Sequence, residues 1–256
     1  MKKYFIIYIL SFVFGQNFIP ENNFQFNQTQ IFFKWPQINK ASNYIIHFNN
    51  DEFFFESELN STIIEGFNWG QTYSWDVCGI DQYDEIIRCY DENYFTINNL
   101  HENYPSNVTV LEIDENQYQE GITLLDYESL NFSTAVDKFG SPVWFSNNDN
   151  FSLNRILATQ FLENGNIVGF APGVGYEFNL NSDILFETSN DFDIHHSIQK
   201  TKKDTYFFID AEIQQHPCPE ECDPEYPDII SWLGDRFIEV DSLGNILWEW
   251  STFDYL

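Results

Sequence analysis

The sequence predicts an all-β protein in which a β-sandwich is followed by a partial β-propeller. Two observations predict this fold class. Short apolar segments alternate with clusters of Asn, Asp and Gly, and no apolar pattern with the period of a helix is sustained. In the second half of the chain, a turn-and-strand pattern recurs at the spacing of propeller blades.

The composition excludes several classes of protein. The chain has 256 residues, of which 43% are hydrophobic and 19% aromatic, so it can form packed cores. It has 11 basic and 40 acidic side chains, which give a formal net charge of −29. Such a charge repels phosphate backbones, so we expect no nucleic-acid partner. The sequence contains no Gly-rich phosphate-binding loop, and we expect no cofactor.

The first residues, 1–15, have the pattern of a secretory signal peptide. Lys2 and Lys3 precede an apolar stretch from Tyr4 to Phe14, and the small residue Gly15 follows. The apolar stretch is too short to span a bilayer, and no later segment is long and apolar enough. We therefore expect a secreted or periplasmic protein that is not inserted in a membrane once the signal is removed.

The four cysteines form two local pairs. Cys78 and Cys89 flank the turn-like sequence DQYDE, where two antiparallel strands would bring them opposite each other. Cys218 and Cys222 lie in the short sequence HPCPEEC. Because disulfides are stable outside the cytoplasm, both pairs are predicted to be disulfides. A zinc site formed by His216 with Cys218 and Cys222 is an alternative, but a fourth ligand is not evident, and we predict no metal site.

Residues 16–100 are predicted to form the sandwich. Six segments have the length and partial alternation of strands, namely IFFKWP, NYIIHF, EFFFES, STIIEGF, TYSWDVCGI and IIRCY. This stretch resembles a fibronectin type III module at Trp35-Pro36, Ala41 to Tyr44, Gly70, Tyr73 and Trp75. The resemblance implies that Trp35 is buried in the core and that Tyr73 is a corner tyrosine. Modules of this type usually position or bind another molecule.

Residues 107–256 are predicted to form the partial propeller, with sequence for about three blades. Its clearest repeats are DKFGSPVWF from Asp137, NLNSDILFE from Asn179 and DSLGNILWEW from Asp241, which start 42 and 62 residues apart. Each repeat has a polar turn followed by an apolar strand. Trp144, Trp248 and Trp250 are predicted to pack in blade cores. Because closure of a propeller needs four to eight blades, we expect the chain to be truncated.

Four segments of this region resemble the bacterial arylsulfate sulfotransferases, and the likeness extends from Val108 to Leu256. They are EGITLLDY, FLENGNIVGF, DIHHSIQ and RFIEVDSLGNILWEWSTFD. The resemblance implies a secreted propeller enzyme with a phenolic sulfate donor and a phenol acceptor. In this family, the sulfuryl group is carried on a histidine at the mouth of the central channel. A homodimer is one assembly that we consider.

The resemblance also indicates candidate site residues. His195 and His196 match the family's His-His motif, although Ser197 stands where an acidic residue is common. Adjacent residues of a strand point to opposite faces, so one histidine faces the channel and contacts sulfate, and the choice between them stays open. Arg155, one of few cations, is a candidate for sulfate binding, with a surface position at a strand start as the alternative.

The nucleophilic histidine of the family lies in a later blade, to which no residues of this chain correspond. We therefore expect the chain to be inactive unless another polypeptide completes it. The alternative function is a non-catalytic extracellular protein that binds a glycan or a protein. Asp210 and Glu212 end an apolar strand where channel-mouth residues lie, but nothing indicates the paired carboxylates of a glycosidase. His47 and His101 have no sequence context that suggests catalysis.

Overall fold

The computed structural model describes residues 18–105, 109–114, 116–117, 119, 121–127, 131–219, 225 and 227–255. This part of the chain is all-β, as the sequence predicts, with short 3-10 helices at Asn148–Asn150, Ser152–Asn154 and Thr252–Tyr255. The predicted signal peptide, residues 1–15, lies outside the described residues. In the part of the chain that is described, no helix has the length and apolar character needed to cross a membrane.

The chain divides into two compact units. Unit 1 contains the residues up to Gln25 and Gln30–Ile97, and unit 2 contains Phe26–Thr29 and Asn98–Leu256. The first strand, β1 (Phe24–Phe26), ends at the first residue of unit 2. The other strands of the first unit are β2 (Ile31–Lys34), β3 (Asn43–Phe48), β4 (Phe53–Ser57), β5 (Ser61–Ile64), β6 (Thr72–Ile80), β7 (Ile86–Cys89) and β8 (Asn93–Ile97).

Unit 1 is a sandwich of two antiparallel sheets. One has the order β1-β8-β6-β3-β4 with β7 also paired to β6, and the other consists of β2 and β5. The two sheets pack through aromatic rings, because Phe33 on β2 contacts Phe48, Trp75 and Phe95 on the larger sheet at centroid distances of 5.0–5.6 Å. Trp35 is 1% exposed and packs against Tyr44. The sequence therefore predicted this core correctly.

Two further details of unit 1 agree with the sequence. Tyr73 is buried, and its hydroxyl accepts a hydrogen bond from the backbone N–H of Asn68 at 2.9 Å, which is the bond that a corner tyrosine makes. Cys78 and Cys89 lie directly opposite each other on β6 and β7 and form a disulfide. The likeness to a fibronectin type III module itself stays a prediction.

The described residues of unit 2 form three antiparallel sheets, each built from strands that follow one another along the chain. The first has the strands β9 (Thr123–Tyr127), β10 (Phe132–Val136) and β11 (Pro142–Phe145). The second has β12 (Leu157–Phe161), β13 (Ile167–Ala171), β14 (Val174–Phe178) and β15 (Ile184–Glu187). The third has β16 (Ile194–Lys200), β17 (Tyr206–Pro217), β18 (Ile229–Val240) and β19 (Ile246–Ser251).

Residues 26–29 extend the first sheet of unit 2, although they precede the sandwich in sequence. The N–H of Thr29 donates to Val143 O at 3.0 Å, and the N–H of Phe145 donates to Asn27 O at 3.3 Å. The side chain of Asn27 is buried and accepts a hydrogen bond from Asn98 Nδ2 at 2.8 Å. The chain thus contributes to unit 2 before it forms unit 1, so these four residues fall within unit 2. The predicted boundaries at 16–100 and 107–256 stay predictions.

The three sequence repeats form turns of the same geometry. Each links the last two strands of its sheet, and the first side chain of each repeat accepts hydrogen bonds from the N–H groups two and four residues later at 2.8–3.0 Å. The fourth residue has a positive φ in every case: Gly140 at 78°, Ser182 at 67° and Gly244 at 82°. The repeat is therefore a unit of turn structure as well as of sequence.

Successive sheets of unit 2 pack face to face. One apolar cluster lies between the first and second sheets and includes Trp144, which is 2% exposed. A second cluster lies between the second and third sheets and includes Ile238 and Val240 of β18. Trp144 thus packs in a core as predicted.

The prediction of core packing is wrong for Trp248, which is 48% exposed. Trp248 pairs with Glu239, which lies between the two core residues Ile238 and Val240 on β18. Alternate residues of a strand point to opposite faces, so Trp248 points away from the core. Trp250 pairs with Phe237 on the same outer face and is half-buried.

Candidate functional site

The first strands of the second and third sheets, β12 and β16, lie side by side and run in the same direction. Thr159 Oγ1 donates to Ile198 O at 2.5 Å, and further along the pair, the N–H of Lys200 donates to Gln160 Oε1 at 2.8 Å. Because the strands are parallel, their beginnings lie at the same edge of the two sheets. We call this edge the histidine edge, because His195 and His196 lie at the beginning of β16.

Arg155 also lies at the histidine edge. It directly follows the 3-10 helix Ser152–Asn154, and β12 starts two residues later. Its side chain is half-buried. The structure therefore places Arg155 and the histidine pair at the beginnings of neighbouring strands.

The histidine pair lies in a bulge of β16. Ile194 is opposite Asp210 and Ile198 is opposite Phe208, so four steps along β16 correspond to two steps along β17. His196 has a φ of 63°, which lies in the left-handed region. A bulge of this kind leaves residues unpaired and redirects their side chains. The usual strand alternation therefore does not decide which histidine is accessible.

The two histidines have different surroundings. His195 is half-buried, with its Nε2 3.1 Å from Asp235 Oδ1 and its Nδ1 3.4 Å from Asp193 O. Both ring nitrogens thus lie within hydrogen-bond distance of an oxygen atom of the protein. His196 is exposed, and its ring packs edge-on against His195 at a centroid distance of 4.7 Å. The nitrogens of His196 are therefore the ones that can reach a ligand from solvent.

A buried carboxylate lies directly behind the bulge. Asp210 is 2% exposed, and its Oδ2 accepts hydrogen bonds from Arg236 Nε at 3.0 Å and Arg236 Nη2 at 2.7 Å. Its Oδ1 accepts the backbone N–H of Asp193 at 2.6 Å. The carbonyl of Asp193 in turn accepts the N–H of Ala211 at 2.9 Å. The N–H and the carbonyl group of Asp193, two residues before His195, are thus both hydrogen-bonded to β17.

Glu212, on the same strand as Asp210, is also held by neighbouring side chains. Glu212 Oε2 accepts a hydrogen bond from Ser251 Oγ at 2.5 Å, and Glu212 Oε1 accepts one from Gln214 Nε2 at 2.8 Å. The Ser251 hydroxyl and the Gln214 amide together lower the pKa of Glu212. Both acids of the sequence FFIDAEIQQH are thus engaged by neighbouring side chains, and these contacts give no indication of a glycosidase pair.

Sequence reasoning missed Asp235 and Arg236. Both lie in the middle of β18, and Arg236 is the first residue of the segment RFIEVDSLGNILWEWSTFD, in which no charged residue was given a role. A charged pair inside an apolar strand is a signal that could have been noticed, because buried charges need partners. The partner itself follows only from the register, in which Asp210 is opposite Arg236 and Ala211 is opposite Asp235.

Two other groups of predicted or possible metal ligands do not form metal sites. Among the described residues, His47, Asp76 and Cys78 lie close together, but the sulfur of Cys78 is in a disulfide and His47 Nδ1 is 3.0 Å from Asp76. Cys218 is also disulfide-bonded, which excludes the zinc alternative with His216 because a thiolate ligand is needed. Its predicted partner, Cys222, lies outside the described residues.

One comparison with known proteins identifies a family. The family model described as Arylsulfotransferase (ASST) matches residues 107–256, which include the whole histidine edge. A search of curated proteins gives no match.

Proposed function

Because the chain belongs to the arylsulfotransferase family, we propose that it binds a phenolic sulfate at the histidine edge and takes part in the transfer of the sulfuryl group to a phenol acceptor. Members of this family are typically secreted or periplasmic, and we propose the same location for this chain. The three stacked antiparallel sheets support the proposal that unit 2 is built as propeller blades.

The single observation that carries the site proposal is the different state of the two histidines. His195 uses both ring nitrogens within the protein, whereas His196 is exposed beside it. We therefore propose that His196 contacts the sulfate oxygens and that His195 supports its ring. Arg155, at the beginning of the neighbouring strand, is proposed to add a cationic group for the sulfate.

The chemistry proposed for the family is a double displacement. A histidine nitrogen attacks sulfur as the S–O bond to the donor phenol breaks, and the phenolate leaves and takes up a proton. The acceptor phenol loses its proton as its oxygen attacks the sulfohistidine, which restores the free histidine. We propose that His196 holds the sulfuryl oxygens during these steps, and we assign no residue of this chain as the nucleophile.

The proposal is tested by the binding of 4-nitrophenyl sulfate, measured by calorimetry at pH 7. Loss of one charge-assisted hydrogen bond costs about 1.5–3 kcal/mol, so His196→Ala is expected to weaken the affinity roughly tenfold or more. His47→Ala, which changes a histidine of unit 1 that is paired with Asp76, is the control and is expected to bind as the wild type does.

Transfer to phenol is measured in parallel by the release of 4-nitrophenol. Binding that depends on His196 supports the site even if turnover needs additional residues. Wild-type affinity in His196→Ala would contradict the site. No binding and no turnover in the wild-type protein would contradict the function and favour a non-catalytic binding protein.

A further inference from the structure

Asp210 and Arg236 form an ion pair whose position calls for an explanation beyond stability. Burying two charges has a desolvation cost that the attraction between them only partly offsets, and apolar residues often stabilise such a position equally well. The chain has only 11 basic residues, yet one of them neutralises a buried acid at the histidine edge.

The contacts of Asp210 lead to the histidine pair. Its Oδ2 accepts hydrogen bonds from two nitrogens of Arg236, which hold that oxygen in place. This leaves Oδ1 directed at the N–H of Asp193, at 2.6 Å. This N–H belongs to the residue that precedes Ile194, so the contact helps to hold the backbone where β16 begins, together with the N–H of Gly173, which donates to Ile194 O at 3.2 Å.

The start of β16 determines the geometry of the bulge. With Ile194 fixed opposite Asp210 and Ile198 buried opposite Phe208, the two extra residues between them must leave the ladder. His195 then reaches Asp235 on β18, and His196 adopts its positive φ and stays exposed. A strained backbone conformation persists only where the surroundings fix it.

We propose that Asp210 and Arg236 are positioning residues for the histidine pair. Through the backbone of Asp193, they hold the bulge that keeps His195 against Asp235 and His196 toward solvent. The contribution of Asp210 and Arg236 to sulfuryl transfer rests on the proposed function. The claim that they hold the bulge of β16 does not depend on that function.

The chain offers a matched control in Glu177. Like Asp210, it is a buried carboxylate, with 4% of its surface exposed, and it pairs with a cation, Lys200. Lys200 is the last residue of β16, whereas the histidines lie near the first. Glu177→Gln and Asp210→Asn each remove one negative charge. The first change removes a contact to the last residue of β16, and the second removes a contact to the residue just before β16.

The test is the set of histidine side-chain signals in two-bond ¹H–¹⁵N NMR spectra of the protein at pH 8, assigned with His195→Gln and His196→Gln. In the wild type, His195 is expected to show a protonated Nε2 and to differ from the exposed His196. Asp210→Asn is expected to lose this His195 signature, so that its signals move to those of an exposed imidazole. Glu177→Gln is expected to retain it.

Arg236→Lys keeps the charge but loses the two-pronged contact, so the His195 signals are expected to move part of the way. All spectra are recorded where circular dichroism shows each variant to be folded, and if Asp210→Asn is unfolded, Arg236→Lys decides. An unchanged His195 signature in the deciding variant would overturn the proposal. The proposal would also be overturned if Glu177→Gln changed the His195 signals as much as the deciding variant does. Addition of 4-nitrophenyl sulfate tests the proposed function separately, because the geometric result is obtained without it.

Discussion

Asp210 and Glu177 are two buried carboxylates near opposite ends of β16, and their partners differ in kind. Asp210 lies on β17 and binds Arg236 on the next strand and the backbone just before the histidines. Glu177 lies on β14 of the second sheet and accepts hydrogen bonds from Lys200 Nζ at 2.7 Å and Tyr206 Oη at 2.6 Å, both in the third sheet. The first contact set shapes a local bulge, whereas the second joins two sheets.

The comparison shows that burial and charge do not by themselves reveal the role of an acid. Burial alone raises the pKa of Glu177, but hydrogen bonds from Lys200, Tyr206 and Asn166 outweigh it and lower the pKa below the ordinary value of 4.5. The pKa of Tyr206 is raised, mainly by burial and also by the hydrogen bond that its hydroxyl donates to Glu177. The proton arrangement of this cluster is therefore fixed across neutral pH, as a stabilising contact between sheets requires.

The largest expected effect is the loss of stability in the variant Glu177→Gln. Glu177→Gln removes the buried partner of Lys200, which keeps its exposed partner Asp204 at 2.8 Å. Loss of the charged hydrogen bonds is expected to cost about 1.5–3 kcal/mol of the free energy of unfolding. Urea denaturation followed by circular dichroism measures the loss. The control is Glu187→Gln on the neighbouring strand β15, an exposed position where a change within about 0.5 kcal/mol is expected. Equal losses in both variants would contradict the role of Glu177.

The pH dependence of stability provides a second test of the same cluster. Because the pKa of Glu177 is lowered on folding, its contribution is present above about pH 4.5 and is lost as the pH falls through the folded value. The pKa of Lys200 is raised: burial lowers it, but hydrogen bonds to Asp204 and Glu177 outweigh burial. Its contribution is therefore present below pH 10.5 and is lost as the pH rises through the folded value.

Urea midpoints of the wild type and Glu177→Gln are expected to differ most at neutral pH and to approach each other below pH 4.5. A constant difference between the two proteins down to pH 3 would show that the Glu177 charge does not stabilise the fold.

A smaller loss of stability is expected from a substitution in the core between the second and third sheets. A Cβ added at Gly175 on β14 would lie 2.4 Å from Ile198 Cδ1 and 3.1 Å from Ile194 Cδ1. These are ends of side chains that can shift, so Gly175→Ala is expected to cost about 1–2 kcal/mol by overpacking. Thermal unfolding measures this loss, and a gain in stability would show that the two sheets have room between them at this point.

The local features of the fold could be predicted from sequence, and the features that depend on register could not. The turns at Asp137, Asn179 and Asp241 depend on hydrogen bonds within five residues, so their chemistry is visible in the sequence. The Cys78–Cys89 disulfide follows from a short hairpin for the same reason. Trp248 was assigned to a core because its repeat matches Trp144, but the face of a strand depends on its partner strand.

The histidine pair is recognisable as a motif and lies in a strand, as the sequence predicts. Its role as a binding site stays a prediction. The bulge and the partners Asp235 and Arg236 were missed, because they result from the pairing of β16, β17 and β18 over about 40 residues. Contacts between residues so far apart in sequence leave no local pattern.

The central claim is that the contacts of Asp210 position the histidine pair, whereas the contacts of Glu177 stabilise the packing of the second and third sheets. The most direct measurement is the affinity for 4-nitrophenyl sulfate of Asp210→Asn and Glu177→Gln beside the wild type, by calorimetry at pH 7 and at a temperature where all three are folded. We expect Asp210→Asn to bind about fivefold or more weakly, and Glu177→Gln to bind within about twofold of the wild type. Equal affinities for the two variants would contradict the claim.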